Sequence, residues 1–191
     1  MQHYVQLFDE PQSLAEAVAE FVEEGLSSDA SVLVVMTFLH WQQTAAELGR
    51  RGVNIEDALF SGRLTVRDAA GTMSLFMRHG RPRRSLFEET VGALVSSLTR
   101  RGSQVRVYGE MVDLLAAEGN LDGALELEQM WNDLGERETF ALFCGYSAVN
   151  FGNPLTTDAL RTICQTHTHV RSDSRDVLAA FLVGAAAARV S

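Results

Sequence analysis

The sequence predicts an α/β fold, a mostly parallel central sheet with helices on both faces. Three observations predict it. Short continuous apolar runs, SVLVVM (31–36) and TFALFC (139–144), suit strands buried on both sides. Stretches with helical spacing alternate with the strand patterns, the order of a βα chain. At VRVYGEMVDLL (105–115) a strand, a glycine and a helix follow one another, and ligands of such units usually sit beyond the carboxyl end of the strand.

The elements follow in order. HYVQLF (3–8) alternates as a first strand and is broken by Asp9-Glu10-Pro11. Ser13 with Glu16 has capping-box spacing, and Leu14, Val18, Phe21 and Val22 share one face of a helix over 14–24 that stops at Gly25. Strand 31–36 precedes a helix over 39–51, closed by Gly52, and a short helical turn over 55–60. LTV (64–66) is a third strand ending near Asp68, followed by a short helix over 72–77 and a polar loop, HGRPRR (79–84). Phe87, Val91, Leu94, Val95 and Leu98 mark a helix over 85–101. Strand 105–108 ends at Gly109-Glu110. Met111 to Leu115 are helical, Glu118-Gly119-Asn120 turns the chain, and a second helix carries Leu121, Leu125, Leu127 and Leu134. Strand 139–144 ends at Gly145-Tyr146. A helix from Thr157 or Asp158 to Cys164, an edge strand over 167–171 and an alanine-rich helix over 175–190 complete the chain. Strand order is not readable from these patterns.

Composition narrows the function. With 191 residues and 46% hydrophobic content the chain supports one ordinary core. No apolar run approaches the ~20 residues of a membrane span, and the N-terminus lacks a signal-peptide pattern, so the expectation is a soluble cytoplasmic protein. Cys144 and Cys164 are too few for a disulfide framework. A net charge of −9 argues against nucleic acid as a partner. The paired arginines (50–51, 83–84, 100–101) read as helix-end cations. All sixteen basic residues are arginine, which removes the lysine of a Walker-type phosphate loop and of Schiff-base chemistry.

The succession HYVQLFDEPQSL, an early EGL, VRVYGEMVDLL, ALELEQMWNDL, LFCGYSAVNF and CQTHTHV resembles the MEDS family, the methanogen/methylotroph DcmR sensory domain. The resemblance covers about residues 2–171, and the order and spacing of the segments carry it rather than any one motif. It implies a RecA-like fold that has lost the nucleotide loop and serves as a sensory input in bacterial signal transduction and transcription regulation, with small organic compounds as ligands. Family members adjoin DNA-binding, kinase or anti-sigma-antagonist domains. This chain divides into a sensory domain over 1–171 and a C-terminal helix or tail over 172–191, so its output is expected to run through a signalling partner of a kinase or sigma/anti-sigma pathway. A homodimer is compatible with this arrangement.

Candidate site residues follow from the βα geometry. Thr37, Asp68, Glu110 and Tyr146 stand where strands end and would meet in a carboxyl-edge crevice. Glu128, Trp131 and Asn132 share one helix face, and Glu128 and Trp131 are assigned to the same pocket as lining. Cys144 and Tyr146 lie on one side of their strand. His3, Cys164, His167 and His169 would gather at the amino edge as a nitrogen/sulfur set, but their spacing matches no established zinc motif. No metal and no cofactor is therefore expected, and histidines that fix an edge strand by hydrogen bonds are favoured. The leading function is a non-catalytic sensory module that binds a small organic ligand and signals to a protein partner. A ligand-free interaction domain is the alternative. A hydrolase using Cys144 or Glu110 ranks lower, because no G-x-S-x-G occurs and the histidines are expected at the wrong edge for Glu110.

Overall fold

The structure, a computed structural model, describes residues 2–101, 104–151 and 156–172. Its strands are β1 (Gln2–Phe8), β2 (Ser31–Met36), β3 (Leu64–Asp68), β4 (Met77–Arg78), β5 (Arg81–Pro82), β6 (Val105–Gly109), β7 (Ala141–Ser147) and β8 (His169–Ser172). Six of them form one parallel sheet in the order β3-β2-β6-β7-β1-β8, and β4 pairs with β5 as a separate antiparallel ribbon. The helices are α1 (Pro11–Ser27), α2 (Phe38–Arg50), α3 (Ile55–Phe60), α4 (Ala69–Phe76), α5 (Arg84–Phe87), α6 (Ala93–Thr99), α7 (Met111–Ala117), α8 (Leu121–Arg137) and α9 (Thr157–Thr166). A π-helical segment, Glu88–Gly92, joins α5 to α6.

Strand burial explains the apolar runs. Every residue of β2 is buried, as parallel strands covered on both faces require, whereas edge strands β3 and β8 keep exposed positions. The chain moves from β1 to β2 and β3 in one direction, then returns through β6 and β7 to β8. Right-handed crossovers place the helices of these two journeys on opposite faces. One core accordingly holds α1–α3 residues such as Leu14, Val22 and Leu48 with Tyr108 and Phe143. The other holds Phe76, Phe87, Trp131, Leu142 and Tyr146, under α4–α9.

Several local expectations are corrected. Helix α1 starts at Pro11 after an extended Glu10, and the Ser13 hydroxyl bonds the Glu10 carbonyl instead of capping. The helix runs through Gly25 to Ser27. Gly25 is a close approach there, since a Cβ would lie 2.7 Å from Val32 Cγ2. HGRPRR is a hairpin turn with its second strand, because His79 and Gly80 both take positive φ (51° and 74°), the backbone of a primed two-residue turn. Arg83-Arg84 stands at the amino start of α5, where cations do not complement the helix dipole, and Arg84 pairs with Asp133. Strand β7 continues to Ser147, so Gly145 and Tyr146 lie inside it. The alanine-rich 175–190 segment and Asn153-Pro154 fall outside the described residues.

Gly145 couples the sheet to its carboxyl edge. A Cβ at this position would come within 2.5 Å of the Tyr108 hydroxyl and 3.2 Å of Leu14 Cδ1. Overpacking of this kind costs about 1–3 kcal/mol, so Gly145→Ala should lower the urea midpoint with an unchanged m-value. An unmoved midpoint would show that Tyr108 yields freely.

Candidate functional site

Two polar constellations stand out, one at the carboxyl edge and one within the α4–α9 core. At the edge, β2 leads towards β3 while its neighbour β6 leads towards β7, which makes this the strand-order switch where ligands of open α/β sheets usually bind. Glu110 follows β6 at this point, held by its backbone N–H on the Val35 carbonyl (3.1 Å). Its carboxylate is buried and accepts from the Thr37 N–H at the start of α2 (2.5 Å) and from the Tyr108 hydroxyl (3.2 Å). The free N–H groups of a helix N-terminus favour an anion there. His40 Nδ1 lies 2.8 Å from the second carboxylate oxygen. That hydrogen bond raises the His40 pKa, helped by the charges of Glu110 and Asp113 and opposed by burial. Burial pushes the Tyr108 phenol well above its ordinary range, which keeps it a donor. One helical turn on, Asp113 accepts from the Ser147 N–H (2.8 Å) and from Asn150 Nδ2 (2.7 Å), tying α7 to the end of β7. Burial raises the Asp113 pKa against those two bonds.

The second constellation joins elements remote in sequence. Residues i and i+4 of α8, Glu128 and Asn132, both face His3 of β1. His3 Nε2 lies 3.5 Å from Glu128 Oε2 and 3.4 Å from Cys144 Sγ, while His3 Nδ1 lies 3.0 Å from Asn132 Oδ1. His167, just after α9, brings Nε2 to 3.7 Å from Glu128 Oε1 and places Nδ1 2.6 Å from the Ile163 carbonyl. The two imidazole centroids are 3.8 Å apart. Tyr146 donates its hydroxyl to Glu128 Oε1 (2.8 Å). Thr168 fixes the position of His3 by a pair of main-chain contacts, its N–H on the His3 carbonyl and its Oγ1 accepting from the His3 N–H. All four residues His3, Glu128, Cys144 and His167 are buried. Burial lowers His3 to a pKa of about 3, with His167 adding to the effect, so the ring is neutral. Burial also raises Glu128, and raises Cys144 and Tyr146 far above their usual values, with the Glu128 charge the next cause for both.

The structure sorts the residues expected from sequence. Glu110 and Thr37 meet at the strand-order switch. Asp68 ends β3 and caps α4 through the Gly71 N–H (2.6 Å), at the rim of the same edge. Tyr146 and Glu128 meet each other inside the core, because β7 runs past Gly145 and turns the Tyr146 ring onto the sheet face. Trp131 packs between Phe87 and Phe140. Of the histidine and cysteine set, His3 and His167 come together. Cys164 is buried elsewhere in α9, its thiol raised by burial to about 11. His169 pairs in register with Tyr4 and stacks on its ring on the opposite face, at 4.7 Å. Alternation along β1 decides this, since Tyr4 and His3 point to different sides. His40, Asp113 and Asn150 went unnoticed in the sequence. His40 corrects the expectation that no histidine reaches Glu110, and its signal was the TFLH spacing, one turn beyond the strand end.

A family model described as MEDS, methanogen/methylotroph DcmR sensory domain, matches residues 2–168. The chain is a member of the MEDS family. Comparison with curated proteins returned no match. The six-stranded parallel sheet flanked by helices is consistent with the RecA-like α/β fold implied for a MEDS domain. Family membership also supports a sensory or regulatory role. Among the described residues no helix of this MEDS domain is long and apolar enough to cross a membrane.

Proposed function

We propose that this MEDS domain is a non-catalytic sensor that admits a small organic ligand at the β2/β6 crevice and passes its state to a signalling protein. The observation that carries the reading is the Glu110 carboxylate, buried at the strand-order switch and held by Thr37, Tyr108 and His40. A ligand carrying hydrogen-bond donors can compete for those contacts and so loosen α2 from β6. Any movement of α2 would displace Phe38 and Leu39, which are 69% and 60% exposed at its start and supply an apolar patch for a partner of a kinase or sigma-factor pathway. Covalent catalysis has poor support, because the Cys144 thiol is buried and held in its protonated form. A separate hollow lined by Tyr4, Phe21, Glu24, Arg106, Phe143 and Arg171 is less suited to ligand recognition. Its Arg106 is engaged by Glu24 (2.9 Å) and lies over the Phe21 ring.

The reading is tested by a thermal-shift screen of small organic compounds on the purified chain. Any compound that stabilises the wild type should lose at least about tenfold in affinity on Glu110→Gln, the loss of roughly one charge-assisted hydrogen bond, with the melting transition still cooperative. A hit whose affinity is untouched by Glu110→Gln and His40→Ala would place the ligand elsewhere.

A further inference from the structure

We infer that His3, Glu128, Cys144 and His167 form a closed four-ligand site for a divalent transition-metal ion of the zinc class. Each side chain offers one ligand atom, and the four atoms lie within 4.8 Å of one another. His3 Nε2 lies 3.4 Å from Cys144 Sγ and 3.5 Å from Glu128 Oε2, while His167 Nε2 lies 3.7 Å from the other carboxylate oxygen, Oε1. Metal–ligand bonds of about 2.0–2.3 Å in a tetrahedron separate neighbouring ligand atoms by about 3.3–3.8 Å. The two separations from His3 Nε2 fall in that range, and an ion would draw the rest of the set, spread over at most 4.8 Å, inward onto itself.

The surrounding hydrogen bonds point the same way. The Ile163 carbonyl only accepts, so the proton of His167 is on Nδ1; Asn132 Oδ1 assigns the His3 proton likewise. Both Nε2 lone pairs then face the carboxylate and the thiol. An outer acceptor that fixes the tautomer and aims the lone pair is the usual second partner of a metal-bound histidine. Glu128 Oε2 is buried and under-satisfied, with only His3 Nε2 at 3.5 Å and the Cys144 thiol near the carboxylate, an arrangement that a cation would relieve. Charge also balances. Two neutral imidazoles, a thiolate and a carboxylate sum to −2, so a divalent ion makes the buried site neutral, and the Cys144 proton leaves on binding.

Four protein ligands leave no open position, which makes the site structural. It would tie the first strand to the segment after α9, residues 3 and 167, through α8 and β7. Nothing in this inference depends on the Glu110 crevice.

The test uses the untagged full chain. Elemental analysis should find one zinc per chain, and Co2+ added to the chelator-stripped protein should give a thiolate-to-cobalt charge-transfer absorption. Cys144→Ser should abolish that absorption and Cys164→Ser should keep it. Asn132→Ala, which removes only the outer partner, should weaken Co2+ binding about 10–100-fold. Wild-type protein that holds no metal and gives no thiolate absorption with Co2+ overturns the site and leaves a hydrogen-bonded core cluster. So does an absorption that Cys164→Ser removes. If Cys144→Ser fails to fold, the wild-type zinc content and the Co2+ affinity of Asn132→Ala decide, and an unchanged affinity in Asn132→Ala overturns the site.

Discussion

Trp131→Ala should destabilise the protein by about 3–5 kcal/mol, the range for truncating a buried large aromatic. The indole is 1% exposed, with Phe87 edge-on at 5.3 Å and Phe140 at 6.2 Å. It also reaches Gly109, where a Cβ would sit 3.9 Å from Trp131 Cζ2. The side chain therefore supports the strand end that carries Glu110, and the cavity left behind is hemmed in by β6, the α5 end and the start of β7. Rigid strands on one side limit collapse, which favours the upper part of the range. Urea unfolding followed by far-ultraviolet circular dichroism measures the loss. A cost below about 1 kcal/mol would mean that the α4–α9 core repacks freely, against the density expected of a protein interior.

Glu110→Ala is expected to cost about 2–4 kcal/mol near pH 6, for two reasons. It leaves the Thr37 N–H and the Tyr108 hydroxyl without their buried acceptor, each a penalty of about 1–3 kcal/mol before water enters the gap. It also removes the partner of His40, a smaller loss because that ring is partly exposed and screened. The second contribution depends on pH. The hydrogen bond to Glu110 raises the folded-state pKa of His40 above its unfolded value of about 6.5. Stability from that pair is fully present below about 6.5 and is lost as pH rises through the folded pKa. The wild type should therefore lose stability relative to Glu110→Ala as pH rises from about 6.5 through the raised folded pKa of His40. Parallel stability differences across that window would show that His40 gains nothing from Glu110.

Local pattern was enough for most of the elements. The valine-rich run of β2 announced a strand covered on both faces, and the leucine spacing of α8 announced an amphipathic helix, because neighbours along the chain set these periods. The same periodicity placed Glu128 and Asn132 on one helix face and Cys144 and Tyr146 on one strand face, and all four meet around His3 or each other. Family membership was legible too, since the ordered segments from HYVQLF to CQTHTHV span the matched residues. Only the tertiary structure decided which faces oppose one another. The order β6-β7-β1 sets Cys144 beside the strand that carries His3, and the crossover through α9 delivers His167 over both. His40 meets Glu110 across 70 residues for the same reason, β2 lying next to β6. Contacts of that kind depend on strand order and crossover path, which many packings of the same local pattern would satisfy differently. The choice between Cys144 and Cys164, and between His167 and His169, rested on where elements end. Cys164 lies on α9, and His167 closes that helix before β8 begins at His169, so the two histidines are not bound to the shared face of one strand.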